Sequence, residues 1–195
     1  ILVGTQMLSK GLDFGNVSLV GILNADTMLN FPDFRAHERA FQLMVQVSGR
    51  AGRSKKQGNV AIQTYNPFHQ ILQQVSITDY DAMYKEQLQD RWQYNYPPYF
   101  RVIKIILKHR DYNKVDAGIN WLFKALYSVF GEHVLGPTAP AVSRIRNQYI
   151  KIITIKIPPK QNLGSTKNQI LKIKSTFEAV KEFRPIRFVL DVDAY

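Results

Sequence analysis

The chain of 195 residues contains no cysteine. Disulfide bonds are therefore excluded, and no zinc site is expected within this chain, because cysteine thiolates supply most structural zinc ligands. Long hydrophobic runs are also lacking, since no segment reaches the ~18 apolar residues that a membrane-spanning helix needs. The sequence shows no signal peptide. We expect a cytoplasmic protein with no membrane partner.

Acidic residues are scarce relative to basic ones. The chain has 15 Asp and Glu against 26 Lys and Arg, which gives a net charge of +11 and a pI near 9.8. Such a chain favours polyanions as partners, and nucleic acid fits this charge better than a membrane surface does. Charge alone leaves open the alternative that the excess only solvates the surface.

The sequence lacks a Gly-x-x-x-x-Gly-Lys-Thr loop and an Asp-Glu-x-His signature, which hold nucleotide phosphates and magnesium in many NTPases. It does contain Gln46-Val-Ser-Gly49-Arg50-Ala-Gly52-Arg53, where two guanidinium groups stand beside two glycines. Arginine carries a permanent charge and a planar fork of donors that suits a phosphoryl group, and glycine lets a backbone approach a ligand closely. The pattern indicates a phosphate site, with ordinary surface ion pairs as the alternative.

A second polar cluster follows the apolar run at the start of the chain. The polar residues and the glycine of this cluster are Thr5, Gln6, Lys10, Gly11 and Asp13. Ligands collect at strand ends in open α/β sheets. A predicted strand over 17–23 and a helix over 35–47 deliver Arg50 and Arg53 to the same edge as Thr5 and Asp13. Alternatively, Thr5 satisfies a strand end and Asp13 caps a turn.

These two segments resemble motifs V and VI of superfamily-two helicases. They are most similar to the primosomal protein N′ (PriA) family of replication-restart helicases, and the similarity continues through 33–39, 63–67, 96–99, 135–137 and 189–193. It covers nearly the whole chain. The resemblance implies an ATP-dependent 3′ to 5′ DNA helicase that recognises stalled or abandoned replication forks and restarts replication by primosome assembly.

The resemblance also implies roles for individual residues. It assigns Arg53 as the arginine finger and places Arg50 and Gln46 at the triphosphate as further catalytic residues. It assigns nucleotide binding to Asp13, Gly11, Gly49 and Gly52, and DNA binding to Thr5, Gln6 and Lys10. ATP and Mg²⁺ are the implied cofactors of the full-length protein. The family's zinc lies in a cysteine-rich segment that has no ligands in this chain.

Periodicity and turn signals divide the chain into three parts. Residues 1–75 are predicted as the C-terminal part of a RecA-like helicase lobe, 76–98 as a linker helix with a Pro-Pro junction, and 99–195 as a small domain that binds DNA or a partner protein. The fold class is α/β followed by α+β. Aromatic residues between Tyr80 and Phe100 suit base stacking or packing of a domain junction.

The last hundred residues predict a βαββαβ order with a four-stranded sheet and both helices on one face. The predicted strands are 101–109, a segment around 134–145, 149–157 and 187–192. Gly131 is expected to close the first helix, and Ser165 or Thr166 to cap the second. Asp191 and Asp193 share a face of the last strand, which suggests a paired-carboxylate active site or metal pair, with ion pairing to the basic loop that carries Arg144 and Arg146 as the alternative.

The strongest basic and aromatic cluster in this domain is Arg144, Arg146, Tyr149 and Lys151. On a strand, Tyr149 and Lys151 share one face, so that a ring and a charge can meet a nucleotide together. The resemblance implies forked, single-stranded and duplex DNA, the tail of single-stranded DNA-binding protein and other primosome proteins as partners. A solvated surface is the alternative.

Taken together, these features predict a C-terminal fragment of a larger helicase. The fragment would supply the arginine finger and binding surfaces but could not hydrolyse ATP alone, because it lacks the phosphate loop. The competing hypothesis is a non-catalytic nucleic-acid or protein-binding module.

Overall fold

The computed structural model describes residues 1–4, 17–52 and 58–192. The chain forms two compact units, Ile1–Asp90 and Arg91–Tyr195, here called unit 1 and unit 2. Among the described residues, no helix combines the length and the hydropathy that crossing a bilayer requires.

Unit 1 is a small α/β arrangement around two parallel strands. Its elements are β1 (Leu19–Ile22), α1 (Ala25–Leu29), α2 (Ala36–Ser48), β2 (Asn59–Ile62), α3 (Gln70–Ile77) and α4 (Tyr80–Gln93), whose last three residues belong to unit 2. The strands pair in register from Leu19 with Asn59 to Ile22 with Ile62. Parallel strands need a crossover connection, and α1 and α2 provide it here.

The core of unit 1 follows from the spacing of apolar residues along α2. Ala36, Ala40, Phe41 and Met44 recur at helical spacing and are all buried. Residues from the neighbouring helices complete this core: Ala25, Leu29, Ile71, Leu72, Val75 and Met83. The carboxylate of Asp79 caps α4 by accepting a hydrogen bond from the Ala82 amide at 2.9 Å.

Unit 2 has the predicted βαββαβ order with one addition. Its elements are β3 (Arg101–His109), α5 (Tyr112–Phe130), a 3-10 turn (Gly131–His133), β4 (Val134–Thr138), β5 (Arg144–Ile145), β6 (Gln148–Ile157), α6 (Leu163–Ala179) and β7 (Arg187–Val192). The antiparallel sheet has the order β4-β6-β3-β7, and β5 pairs with β6 as a fifth strand. The prediction of four strands was therefore wrong, because two residues are too few to show a period.

Both helices of unit 2 pack on one face of this sheet, as predicted. Alternate strand residues such as Ile105 and Ile155 share a single buried cluster with Leu122 of α5 and Phe177 of α6. Phe177 is fully buried, and its ring stacks on that of Phe183 at 5.0 Å between centroids.

The start of α6 differs from the prediction. Asn162 is the N-cap, and its side chain accepts a hydrogen bond from the Ser165 amide at 3.1 Å. Ser165 and Thr166 lie inside the first turn. The N-cap oxygen must reach an amide two or three residues ahead, and Asn162 is the side chain at that distance from Ser165.

Candidate functional site

The predicted triphosphate-contacting residues begin in the last turn of α2. Gln46 lies there and is exposed, and Arg50 is half-buried in the turn that follows. The amides of Gly49 and Arg50 donate to the carbonyls of Val45 and Val47 at 3.0 and 3.1 Å. The end of a helix carries partial negative charge, so attraction for a phosphate at this place must come from arginine side chains.

Gly52 has a structural reason to be glycine. Its φ of 74° lies in the left-handed region, and its amide donates to the carbonyl of Val17 at 3.0 Å. A Cβ on Gly58 would lie 2.3 Å from the Gly52 nitrogen, so the two backbones touch where β1 and β2 begin. Gly49, by contrast, has an ordinary helical φ of −65°. The turn after α2, which carries Gly49, Arg50 and Gly52 of the predicted phosphate site, is thus fixed against the amino ends of β1 and β2.

Several predicted site residues lie outside the described residues: Thr5, Gln6, Lys10, Gly11, Asp13 and Arg53. Their roles stay predictions. Gln46 and Arg50, which are described, supply an amide and a guanidinium suited to phosphate oxygens. Over 1–4, 17–52 and 58–192, no group of three or more His, Asp or Glu residues is placed to hold a metal ion.

The carboxyl edge of the same strands carries a second polar cluster, centred on Asp26. Asp26 accepts hydrogen bonds from the Thr64 hydroxyl at 2.9 Å and the Tyr65 amide at 3.0 Å. Although desolvation alone would raise it, these hydrogen bonds hold the pKa of Asp26 below its ordinary value. The carboxylate therefore links the segments that follow β1 and β2, a long-range contact that no local pattern reveals.

A pair of histidines lies in the same unit. The rings of His37 and His69 meet edge to face with centroids 5.3 Å apart. Burial, and then the neighbouring His37, lower the pKa of His69. His69 also caps α3, because its Nδ1 accepts a hydrogen bond from the Ile71 amide at 3.2 Å. These contacts give His69 a structural role.

The basic cluster predicted in unit 2 forms a hairpin. Ile145 pairs with Gln148, which leaves Arg146 and Asn147 as a two-residue loop with φ of 49° and 61°. Positive φ at both positions is the signature of a type I′ turn, which favours Asn and Gly. Arg146 thus occupies an unfavourable backbone conformation while its side chain is exposed.

Two further residues of the cluster stack on each other at the base of this hairpin. The guanidinium of Arg144 lies 4.9 Å from the centroid of the Tyr149 ring and also donates a hydrogen bond to the Asn147 side chain. Arg144 itself is exposed. The hairpin therefore presents two guanidinium groups from five consecutive residues that are all exposed, 143–147.

Tyr149 and Lys151 share one face of β6, as predicted, and that face is the one covered by α5. The Lys151 ammonium pairs with the Asp116 carboxylate and lies 5.1 Å from the centroid of the Tyr112 ring. The Tyr149 ring meets the same Tyr112 ring at 5.5 Å. The hydrogen bond to Asp116 raises the pKa of Lys151. Lys151 is thus engaged within unit 2, whereas Arg144 and Arg146 point to its surface.

Charge is divided unevenly between the two units. Residues 91–195 hold 18 of the 26 Lys and Arg but only 7 of the 15 Asp and Glu, so the whole net charge of +11 belongs to unit 2. Residues 1–90 hold eight of each and are neutral overall. The net electrostatic attraction for a polyanion therefore comes from unit 2.

The fold and this charge define a mixed α/β protein whose C-terminal unit is a strongly basic βαββαβ domain. Residues 93–195 match the family model described as the Primosomal protein N C-terminal domain. The chain belongs to this family.

Curated relatives extend the similarity beyond that domain. Proteins named Replication restart protein PriA are 41% identical over 174 residues in Bacillus subtilis, 37% over 196 residues in Synechocystis and 35% over 195 residues in Haemophilus influenzae. These matches cover 88%, 99% and 99% of this chain but only 22%, 22% and 26% of the relatives. The chain thus spans about a quarter or less of the length of these relatives.

Proposed function

We propose that the chain is the C-terminal part of an ATP-dependent 3′ to 5′ DNA helicase that recognises stalled or abandoned forks and restarts replication by primosome assembly. The observation that carries the proposal is the similarity to replication restart proteins across 99% of the chain. That similarity includes both predicted helicase motifs as well as the C-terminal domain.

In this proposal, residues 1–75 are the end of a RecA-like lobe and supply the residues that act on the triphosphate. Arg53 is the arginine finger, and Gln46 and Arg50 contact or position the phosphates. Such a finger neutralises charge on the transferred phosphoryl group, an effect worth on the order of 10³ to 10⁵ in rate. When bound, ATP would supply the phosphoanhydride bond that is cleaved, and Mg²⁺ would make its terminal phosphorus more electrophilic. The phosphate loop belongs to the rest of the protein, so this chain alone would not turn over ATP.

The DNA-binding part of the proposal relies on unit 2. Its net charge of +11 and the exposed guanidinium groups of Arg144 and Arg146 suit phosphates. Thr5, Gln6 and Lys10 are proposed to contact DNA from the helicase lobe. The tail of single-stranded DNA-binding protein and other primosome proteins are the proposed protein partners. The zinc site is proposed for the full-length protein, and no residue of this chain is proposed as a zinc ligand.

Strand separation by the full-length protein tests this proposal. A duplex with a 3′ single-stranded tail should be unwound in the presence of ATP, and one with a 5′ tail should not. Arg53→Ala should abolish unwinding, because the transition-state charge loses its partner. Lys85→Ala, which removes one exposed charge from α4, is the matched control and should unwind normally.

A second candidate, the non-catalytic binding module, is favoured by the concentration of charge in unit 2. A folded full-length protein that binds forked DNA but neither unwinds it nor turns over ATP would establish this second candidate.

A further inference from the structure

The sheet of unit 2 has a second face, opposite the helices. Ile103, Ile105 and Leu107 of β3 pack in the helix-covered core. Successive side chains of a strand point to opposite faces, and paired residues on neighbouring strands share a face. The register therefore places the following residues on the other side, here called the open face: Val102, Lys104, Ile106, Lys108, Ile150, Ile152, Thr154, Lys156, Arg187, Val189 and Asp191. Of these residues, Val102 and Ile150 are buried.

Positive side chains predominate on the open face. Lys104, Lys108, Lys156 and Arg187 lie there, against Asp191 as the single acid among the strand residues that the register places on it. Lys156 is engaged, because its ammonium donates to the Tyr94 carbonyl at 2.5 Å and lies 3.8 Å from the centroid of the Tyr96 ring. The other three, here called the open-face cations, make no ion pair with any residue that the structure describes.

Two of the open-face cations stand directly opposite each other. Lys108 of β3 pairs in register with Arg187 of β7, and the third member of the row is Ile150 of β6. Like charges at directly opposed positions destabilise a sheet. A phosphate bound between the two side chains would turn this repulsion into attraction, since each cation would then face an anion.

The neighbouring row is apolar. Ile152, Ile106 and Val189 occupy adjacent strands in register, and each is half-buried. Surfaces that bind single strands combine positive side chains along the backbone with aromatic rings on which the bases stack. On this face the aliphatic row would give the bases apolar contact in place of stacking. A duplex would present mainly phosphates here and leave the apolar row unused, so the arrangement fits a single strand.

We propose that the open face of unit 2 is a binding surface for single-stranded DNA, in which Lys104, Lys108 and Arg187 contact phosphates beside the apolar row. The choice of DNA as the polyanion rests on the proposed function. None of these three residues belongs to the basic cluster that the sequence indicated. Lys104 and Lys108 lie four positions apart on β3, whereas Arg187 is distant in the chain and only the register of β3 and β7 brings it beside them.

The expected loss of DNA affinity can be calculated from counterion release. Each phosphate contact with a single strand contributes about 0.7 to the salt exponent, so losing one lowers affinity about fivefold at about 0.1 M salt. Lys108 and Arg187 share one phosphate and Lys104 contacts another, so replacing all three open-face cations by Gln should lower affinity about 25-fold and the salt exponent by about 1.4. The control variant replaces Lys124, Lys167 and Lys172, which are exposed on α5 and α6, and removes the same charge from the opposite side.

The test is a fluorescence-anisotropy titration of the 195-residue chain with an oligothymidylate of about 15 nucleotides at several salt concentrations. The proposal is supported if the open-face variant loses much of its DNA affinity while the control variant loses less than about threefold. Equal losses in both variants, or unchanged affinity in the open-face variant, overturn it while leaving DNA binding itself intact. A wild-type chain that binds no DNA would instead contradict the proposed function.

Two further measurements keep the result decisive. Lys108→Glu places an acid opposite Arg187, so it should raise the melting temperature while still weakening DNA binding; a folded variant with unchanged affinity overturns the proposal. A poly-glutamate peptide of matched length tests an acidic protein as the occupant. If the open face binds this peptide as tightly as the oligonucleotide, the surface does not select DNA.

Discussion

The hairpin loop of unit 2 offers a substitution that should increase stability and weaken DNA binding at once. Arg146 has φ of 49° in a type I′ turn, and an ordinary L-residue in the left-handed region costs about 1–2 kcal/mol. Asparagine tolerates this conformation much better. Arg146→Asn should therefore stabilise unit 2 by about 0.5–1 kcal/mol, which corresponds to a rise of a few degrees in melting temperature.

The same substitution removes one exposed guanidinium. If Arg146 contacts one phosphate, the salt exponent for a single strand falls by about 0.7, and affinity falls about fivefold at about 0.1 M salt. Arg146→Ala is the matched control: alanine keeps the backbone penalty, so it should lose the same affinity without gaining stability.

Thermal denaturation followed by circular dichroism and anisotropy titrations over a range of salt measure the two effects separately. A destabilised Arg146→Asn would refute the assignment of the turn. Unchanged affinity and salt exponent in both variants would refute a phosphate contact at Arg146.

Three predictions concern the core of unit 2 and the two ends of the β1 and β2 strands. Phe177→Ala should destabilise unit 2 by about 3–5 kcal/mol in chemical denaturation, because a fully buried ring is lost; a cost below about 1 kcal/mol would contradict its central place. Gly58→Ala should destabilise unit 1 strongly in thermal denaturation, since its Cβ would lie 2.3 Å from the Gly52 nitrogen, and a neutral result would show that the two backbones do not touch. Asp26 has a lowered pKa, so its stabilising contribution is present above the ordinary carboxylate pKa of about 4 and is lost as pH falls through the folded value. The difference in denaturation midpoint between wild type and Asp26→Asn should accordingly be constant near neutral pH and shrink below about pH 4. If this difference persists at low pH, the ionised carboxylate is not the cause of the stabilisation.

Local sequence patterns predicted much of unit 2. The alternation of apolar residues predicted β3 over 101–109 and β7 over 187–192, the bounds that the structure shows. Helices bury one side of these strands, so apolar residues recur at every second position of their sequences. The same reasoning missed β5, which has two residues and is held by pairing with β6 rather than by its own pattern.

Long-range contacts explain most of what the sequence left undecided. Lys151 was a candidate DNA contact because it is basic and follows Tyr149, and only the structure shows its ion pair with Asp116, 35 positions earlier. Lys104 and Lys108 lie on one strand, but Arg187 is distant in the chain and joins them only through the sheet register, so no local pattern reveals the three as one cluster. In unit 1, Asp26 gains its role from Thr64 and Tyr65.

DNA-stimulated ATP hydrolysis by the full-length protein tests the central proposal most directly. Wild type and Arg53→Ala should be compared on a forked substrate, with DNA affinity measured in parallel. The account predicts that the variant loses at least about 10³-fold in stimulated turnover while binding DNA normally. Normal turnover in Arg53→Ala, or a folded, DNA-binding wild type without stimulated turnover, would contradict it.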